Sequence, residues 1–446
     1  MAVCDARSPY NSDAARRRGV TGRADAVVLP GDSQQVVAVV SWCYEHDVPI
    51  VARGGGTGLL GGAVPVHGGV VVSLERLRRV RELEPGLWRI YPEAGVSTRD
   101  VQRLARENGL FFGPDPGASE QSQIGGNVAT NAGGPHALKY GVTGASVTGL
   151  EVVLAPGELV HVGGWARKDV AGYDLKNLLI GSEGTLGVIT AVRLRLRPAP
   201  QARIALVVFL ARSGVGARDV DVGCAAMLEV MAAGIAPAAL EFVDAATLAH
   251  VSAGYPGEVP DGAGFALLVE LDGTRAEAER ERDAVVELLA GAALSIDEPD
   301  DEQALWRWRD GFNGVVTGVR GGKVSEDVSF PVERLAEGLN GFAEIAARHG
   351  MRSCAWGHGG DGNVHATVLV DPAEGAELDT AEAVGAELFE LVRKLGGSIA
   401  AEHGVGLLKS GMLAPGWDAR AVELHEQIKL AFDPKGLLNP GKKLGR

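Results

Sequence analysis

The chain has 446 residues, 46% hydrophobic and 22% charged, which excludes a disordered polypeptide and requires two or three compact domains. Its 43 basic against 57 acidic side chains leave a net charge of −14; this disfavours nucleic acid or an anionic membrane as a non-specific partner, and an anionic substrate would need a locally cationic site. The 63 glycines gather in short clusters without the every-third spacing of a collagen, marking places where main chain approaches something closely.

In chain order, the N-terminal MAVCDARSPYNSDAARRR lacks the apolar core of a signal peptide, and no uncharged run reaches the roughly 18 residues of a membrane helix. Cys4, Cys43, Cys224 and Cys354 are too scattered for a zinc ribbon or an iron–sulfur cluster, so a reduced, cytoplasmic chain is expected, with any membrane contact peripheral. Residues 26–30 predict a strand and 33–47 a helix with Asp32 or Ser33 as N-cap. The apolar strand 48–52 then runs into RGGGTGLLGG. Strands follow at 68–77 and 86–95, a helix at 97–109, the glycine- and asparagine-rich stretch 114–134, and strands at 145–157 and 181–198. The proline-rich RPAPQAR near residue 200 predicts a domain boundary.

Beyond it, strands at 204–210, 238–244 and 264–273 alternate with helices at about 216–233 and 274–291. Strands at 326–331, 353–358 and 364–370 then alternate with helices at 332–350 and about 376–396. Two β-α-β-β-α units in tandem predict a ferredoxin-like second domain. The turn-rich tail FDPKGLLNPGKKL is expected to pack back on the first domain.

The first glycine cluster is neither a GxGxxG that opens a helix nor a P-loop, since Val64, Pro65 and a strand follow it. What it offers is a nest of backbone N–H groups able to wrap a pyrophosphate, with Arg53 adding charge; a glycine-rich surface turn is the plain alternative. The second cluster, IGGNVATNAGG, interleaves glycine with Asn127, Thr130 and Asn131, whose side chains suit a polar ring edge. GSEGTLGVIT is the third cluster, and one large planar dinucleotide accounts for all three.

Together RGGGTGLLGG, PDPGASEQSQIGGNVATNAGG, GSEGTLGVIT, GHGGDGNVH (357–365), AEHGVG (401–406) and FDPKGLLNPGK resemble the FAD-linked 2-hydroxy-acid dehydrogenases of the vanillyl-alcohol-oxidase/PCMH superfamily. That group includes the glycolate oxidase FAD subunit, D-lactate dehydrogenase and D-2-hydroxyglutarate dehydrogenase. The resemblance spans about residues 24–443. It implies an α+β protein with a PCMH-type FAD-binding domain (20–200), a ferredoxin-like substrate cap (201–410) and a C-terminal segment (411–446) returning to the FAD domain.

It further implies FAD contacts from Arg53, Gly54, Gly55, Gly56, Thr57, Gly58 and Leu59, and from Pro114, Gly117, Gly125, Gly126, Asn127, Thr130, Asn131, Gly133 and Gly134. Tyr140, Gly141, Glu183, Gly184, Gly187, Val188, Ile189 and Asn439 complete the implied set. Thr57 stands where relatives with a covalent flavin carry histidine, so the implied FAD is non-covalent. Gln123 departs from the Thr or small residue that usually precedes IGGN, and the N-terminus is short against the family pattern.

His358 and His365 bracket Asp361-Gly362, a pair suited to a two-residue type I′ turn, which would set the two imidazoles directly opposite each other. Alone they make a weak site, since a lone cross-strand histidine pair is more often structural, and a third ligand is needed. With Glu402 they make a His2Glu set suited to zinc or manganese, and family members carry a divalent metal at the matching positions. In the same resemblance His403 is the catalytic base, and Arg309 in LWRWRD binds the substrate carboxylate. Asn313, Lys323 and Ser325 fall near substrate contacts, while Asn363 bonds across the hairpin turn or faces the ligand.

Adjacent strand residues face opposite ways, so Glu402 and His403 share a site only on an irregular segment, which Gly404 and Gly406 permit. The implied reaction is oxidation of a small anionic D-2-hydroxy acid to the 2-oxo acid, with the Cα hydride passing to flavin N5. Without a cysteine cluster, electrons would leave to an electron-transfer flavoprotein, a quinone or an iron–sulfur subunit, unless oxygen serves. The sequence leaves open the oligomeric state, a homodimer included. Rival readings are a metal-dependent hydrolase or lyase with purely structural glycines, a redox-neutral FAD enzyme of the alkyl-dihydroxyacetone-phosphate synthase type, and a non-catalytic FAD-binding subunit.

Overall fold

Alternating β-branched residues and capped amphipathic helices organise the chain, seen in a computed structural model that describes the main chain of residues 2–4 and all of residues 9–212 and 218–444. The chain divides into two compact units. One unit comprises Met1–Gly134, Gly141–Ala199 and Glu402–Arg446; the other comprises Pro135–Tyr140 and Pro200–Ala401.

In the first unit, strands Ala26–Leu29, Val70–Ser73 and Ile50–Arg53 lie parallel in that order, with Ala2–Cys4 antiparallel at the outer edge. Asp32 is the N-cap of helix Ser33–Glu45, its carboxylate accepting from the Gln35 N–H at 2.8 Å. Val36, Val39, Val40 and Cys43 recur on one helix face and bury it against Val28, Ile50, Val70 and Val72. Each such side chain contributes roughly 1.5–3 kcal/mol relative to exposure. The C-terminal tail joins this sheet, since Ile50 N–H donates to Leu437 O at 2.8 Å and Asn439 N–H to Ile50 O at 2.7 Å.

A second, antiparallel sheet of this unit runs in the order Val80–Glu84, Arg89–Pro92, Val188–Arg195, Val147–Leu154, Glu158–Gly163. Its two edge strands escape the sequence reading because they are polar and largely unburied, as edges are. Helix Ile124–Thr130 also runs against expectation, because three of its first four residues are Gly125, Gly126 and Asn127, poor helix formers. Tertiary contact decides there: a Cβ on Gly125 would enter Ala94, and Gly126 backs onto Gly54. Helix Ala419–Phe432 is a further element that the sequence reading lacks.

The second unit is one antiparallel sheet of seven strands, ordered Ala293–Asp297, Ala202–Ala211, Ala263–Gly273, Ala239–Asp244, Ser353–His358, Asn363–Val370, Gly322–Ser329. The first four, with helices Asp219–Ala232 and Arg275–Leu289, have the ferredoxin-like order 4-1-3-2. The last three, with helices Leu335–Arg348 and Gly375–Lys394, repeat the β-α-β-β-α pattern. The start expected near 216 for the first of these helices lies outside the described residues. Helices Ala245–Val251 and Glu302–Gly318 add a layer whose Leu248, Leu305, Trp308, Phe312 and Val316 pack with Phe209, Val243, Leu268 and Trp356. Among the described residues no helix is long and apolar enough to cross a membrane.

The return to the first unit begins at Glu402, ahead of the boundary at 410 that the resemblance implies. Local bonds explain the difference: Leu407 N–H donates to Leu60 O, and the Glu183 carboxylate accepts from Val405 and Gly406.

Candidate active site

The histidine hairpin forms, but its turn is longer than two residues. Gly359–Asp361 makes a 3-10 turn closed by Gly362 at φ 77°, where a Cβ would run into the Phe330 carbonyl. The last paired residues are Trp356 and His365, so the expected direct pairing of His358 with His365 is corrected. His365 instead lies between Trp356 and Asp327, while His358 pairs with Glu241 on the neighbouring strand. The two imidazoles still meet edge to face, with centroids 5.5 Å apart.

Glu241 is the centre of charge on that face and is absent from the sequence reading. Only 2% exposed, it faces His358 Nδ1 at 2.6 Å from Oε1, while Oε2 accepts from Arg309 Nε at 2.7 Å and lies 2.5 Å from Arg309 Nη2. Burial raises its pKa, but the charges of Arg309 and His358 and their hydrogen bonds outweigh burial and hold the carboxyl at about 2. Where His358 is neutral, its contact with the ionised Glu241 places the ring proton on Nδ1 and leaves the lone pair on Nε2. Arg309 Nη2 is also 3.3 Å from His358 Nδ1, so one carboxylate positions both side chains.

Asp327 is the other acidic group that the sequence reading lacks. It stands directly across from His365, and the two offer ligand atoms within 4.8 Å of each other. Its Oδ1 accepts from Asn363 Nδ2 at 2.7 Å and its Oδ2 from Ala401 N–H at 3.1 Å. Asn363 thus bonds to the adjacent strand, and its buried Oδ1 has no protein partner among the described residues. Two imidazoles and a carboxylate in one unit form a nitrogen and oxygen donor set that fits a zinc- or manganese-like ion. Lys323 Nζ lies 4.7 Å over the Trp356 ring, Ser325 Oγ meets Thr367 Oγ1 at 2.8 Å, and Asn313 is exposed one turn after Arg309.

In the first unit Glu402 and His403 lie on an irregular segment, with Gly404 at φ 82° and Gly406 at φ 54°. This loosened backbone brings consecutive side chains together, His403 Nε2 standing 3.6 Å from Glu402 Oε1. Glu402 also lies against Gly133, where an added Cβ would come within 2.8 Å of its Oε2. Glu183, itself at φ 54°, anchors the segment by accepting from Val405 N–H at 2.9 Å and Gly406 N–H at 2.7 Å.

The three glycine clusters belong to this same unit and contact one another. Gly54 faces Gly126, and Asn439 Nδ2 donates both to Gly62 O (2.9 Å) and to Glu183 O (2.7 Å). Gly55, Gly125 and Gly187 serve packing, since a Cβ on each would meet Gln121, Ala94 or Val152. Gly117 has open space on its side-chain face, Gly58 meets only Asp13, and Gly126 only Gly54, so main chain is open to a ligand at these positions. Gln123 Oε1, Ser182 Oγ and Asn439 Oδ1 are buried without a protein partner among the described residues, which fits a large polar cofactor here.

Several side chains read as cofactor contacts are engaged by the protein. Arg53 Nη1 donates to Ser12 O at 2.8 Å, Asn127 Nδ2 to Thr98 Oγ1 at 2.5 Å and Thr130 Oγ1 to Gly126 O at 3.2 Å, while Asn131 Oδ1 accepts from Gly144 N–H at 2.8 Å. Tyr140 lies in the second unit, its hydroxyl donating to Asp272 Oδ2 at 2.5 Å. There it joins Lys139 on Asp272 and His136 on the fully buried Glu270.

Comparison with known proteins agrees with this architecture. The family described as "FAD linked oxidases, C-terminal domain" matches residues 211–443, and "FAD binding domain" matches residues 24–163. The glycolate oxidase subunit GlcD of Bacillus subtilis is 36% identical over 95% of this chain and 89% of its own length. The D-lactate dehydrogenase of Anaerostipes hadrus is 33% identical over 94% and 89%, and the mitochondrial D-2-hydroxyglutarate dehydrogenase of Rattus norvegicus 34% over 96% and 79%. In fold, p-cresol methylhydroxylase with substrate bound aligns over 98% of this chain and 92% of its own, with TM-score 0.79 and 21% identity. An alkyldihydroxyacetonephosphate synthase aligns over 94% and 77%, with TM-score 0.72 and 18% identity. With two domain families covering both units and relatives similar over almost their whole length, the chain belongs to the FAD-linked oxidases and is an FAD-dependent oxidoreductase with a PCMH-type fold.

Proposed function

We propose that this protein oxidises a small D-2-hydroxy acid, of the D-lactate, glycolate or D-2-hydroxyglutarate class, to the 2-oxo acid with non-covalent FAD and a divalent metal. The observation that carries this reading is that relatives 33–36% identical over nearly the whole chain are each named for a 2-hydroxy acid. Bound FAD supplies a two-electron oxidant, and a zinc or manganese ion supplies Lewis acidity toward the hydroxyl and carboxylate oxygens.

In this reading His358, His365 and Glu402 hold the ion. Arg309, with Asn313 and Lys323, binds and orients the substrate carboxylate and provides the cationic site that a chain of net charge −14 requires. His403 takes the hydroxyl proton on a ring nitrogen, next in sequence to the ligand Glu402. The main chain at Gly54–Gly58, the helix Ile124–Thr130 and the Gly184–Ile189 region cradle the cofactor.

Electrons leave to an external acceptor. In support, the thiols of Cys43, Cys224 and Cys354 are buried, and burial pushes them up to about 11, 12 and 12, which suits structural cysteines rather than redox centres.

The test is anaerobic titration of the purified yellow protein with D-lactate, glycolate and D-2-hydroxyglutarate. Bleaching of the flavin bands by one of the three is expected. A colourless protein that takes up no FAD, or a flavin that none of them bleaches, overturns the reading.

A further inference from the structure

We infer that Glu241 is a positioning residue that sets the metal-side imidazole of His358 and the substrate-side guanidinium of Arg309 as one unit; this rests on the metal-dependent reading above. Strand pairing fixes the arrangement. Glu241 stands across from His358 on one neighbouring strand and from Leu268 on the other, so its side chain is directed by the sheet rather than by a loop. It is 2% exposed, and its two oxygens are divided between partners, Oε1 with His358 Nδ1 at 2.6 Å and Oε2 with Arg309 Nε at 2.7 Å.

A carboxylate behind a ligating imidazole does three things. It fixes the tautomer so that Nε2 carries the lone pair, it holds the ring plane, and it raises the basicity of the ligand. Glu241 does the same for Arg309 by holding one edge of the planar guanidinium, which fixes the direction of the rest of the fork. Trp308 and Phe312, both buried on the helix that carries Arg309, keep that helix from relaxing if the carboxylate is changed. Both oxygens of Glu241 are thus taken up by protein partners. Its loss acts through the two side chains it holds.

The experiment uses the FAD-loaded protein stripped of metal by chelator, as wild type, E241Q and E241D, with flavin content and melting temperature recorded for each. Zn2+ and Mn2+ are titrated in separately by calorimetry. The dissociation constant in E241Q is expected to rise about 10- to 100-fold, with E241D between it and wild type. With metal saturating, KM for the hydroxy acid in E241Q is expected to rise more than kcat falls, because Arg309 loses its alignment while the proton acceptor is untouched. Metal affinity and KM in both variants within about twofold of wild type would overturn the inference and leave the metal-dependent reading standing. A wild-type protein that takes up neither ion would overturn both.

Discussion

Asp327 Oδ2 accepts the backbone N–H of Ala401 at 3.1 Å, so a strand residue facing His365 also holds the peptide immediately before Glu402. Its other oxygen holds Asn363, two residues before His365. One carboxylate thus ties the histidine hairpin to the point where the chain leaves the second unit. Asp327→Ala should leave the buried Asn363 amide and the part-buried Ala401 N–H without this acceptor, lower stability by roughly 1–3 kcal/mol and weaken metal binding. Denaturant unfolding and zinc titration of the FAD-loaded variant check this; unchanged values for both would remove Asp327 from the arrangement.

His403→Ala should retain FAD and slow anaerobic flavin reduction by about 10²- to 10⁴-fold, the usual contribution of a positioned proton acceptor. Stopped-flow absorbance with excess hydroxy acid is the measurement. Reduction at the wild-type rate would show that another group takes the proton.

Dialysis against a chelator should lower turnover at least about tenfold while the flavin spectrum stays on the protein, because the proposed ligands and the glycine clusters are different residues. Zinc or manganese should restore it. Full turnover after metal loss, verified by elemental analysis, would sink the His358, His365 and Glu402 assignment.

Glu183→Ala removes a carboxylate that accepts from both Val405 and Gly406 N–H. The segment bearing Glu402 and His403 should loosen and become a site of limited proteolysis, with roughly 2–4 kcal/mol lost locally. An unaltered digestion pattern with wild-type turnover would mean that the segment is held elsewhere.

Asp244 caps helix Ala245–Val251 through Thr247 N–H at 2.7 Å and also accepts from Ala355 N–H at 3.0 Å. Burial pushes its carboxyl up to about 6 from 3.8, and the hydrogen bonds only partly oppose this. A raised folded-state pKa means the folded protein holds the proton more tightly than the unfolded chain. Its contribution is therefore fully present below about pH 4 and is lost as pH rises through about 6. Compared with wild type, Asp244→Asn should gain up to roughly 2–3 kcal/mol between pH 4 and pH 7.5, on top of any constant offset. Parallel unfolding curves at the two pH values test it; a pH-independent difference would refute it.

The sequence by itself determined the elements with strong local codes. Asp32 before an apolar 3.6-residue repeat, β-branched runs such as residues 70–72, and two β-α-β-β-α patterns reappear as helix, sheet and a ferredoxin-like order, because capping and hydrophobic periodicity act within a few residues. The ordered motifs likewise pointed to an FAD-linked oxidase, since glycine at close approaches and histidine with carboxylate in a short segment are chemical requirements that the chain must spell out.

Only the tertiary structure decided register and pairing. A two-residue turn at Asp361-Gly362 and the observed 3-10 turn have the same local signals, but the Gly362 main chain packing on Phe330 selects the longer one and shifts His365 from His358 to Trp356. The helix through Gly125 and Gly126 forms despite poor propensity because it packs on Ala94, which leaves no room for a side chain at Gly125, and on the Gly54 main chain. Glu241 and Asp327 carry no motif at all. Their roles arise when strands more than thirty residues apart in sequence pair, and such long-range contacts leave no periodicity to read.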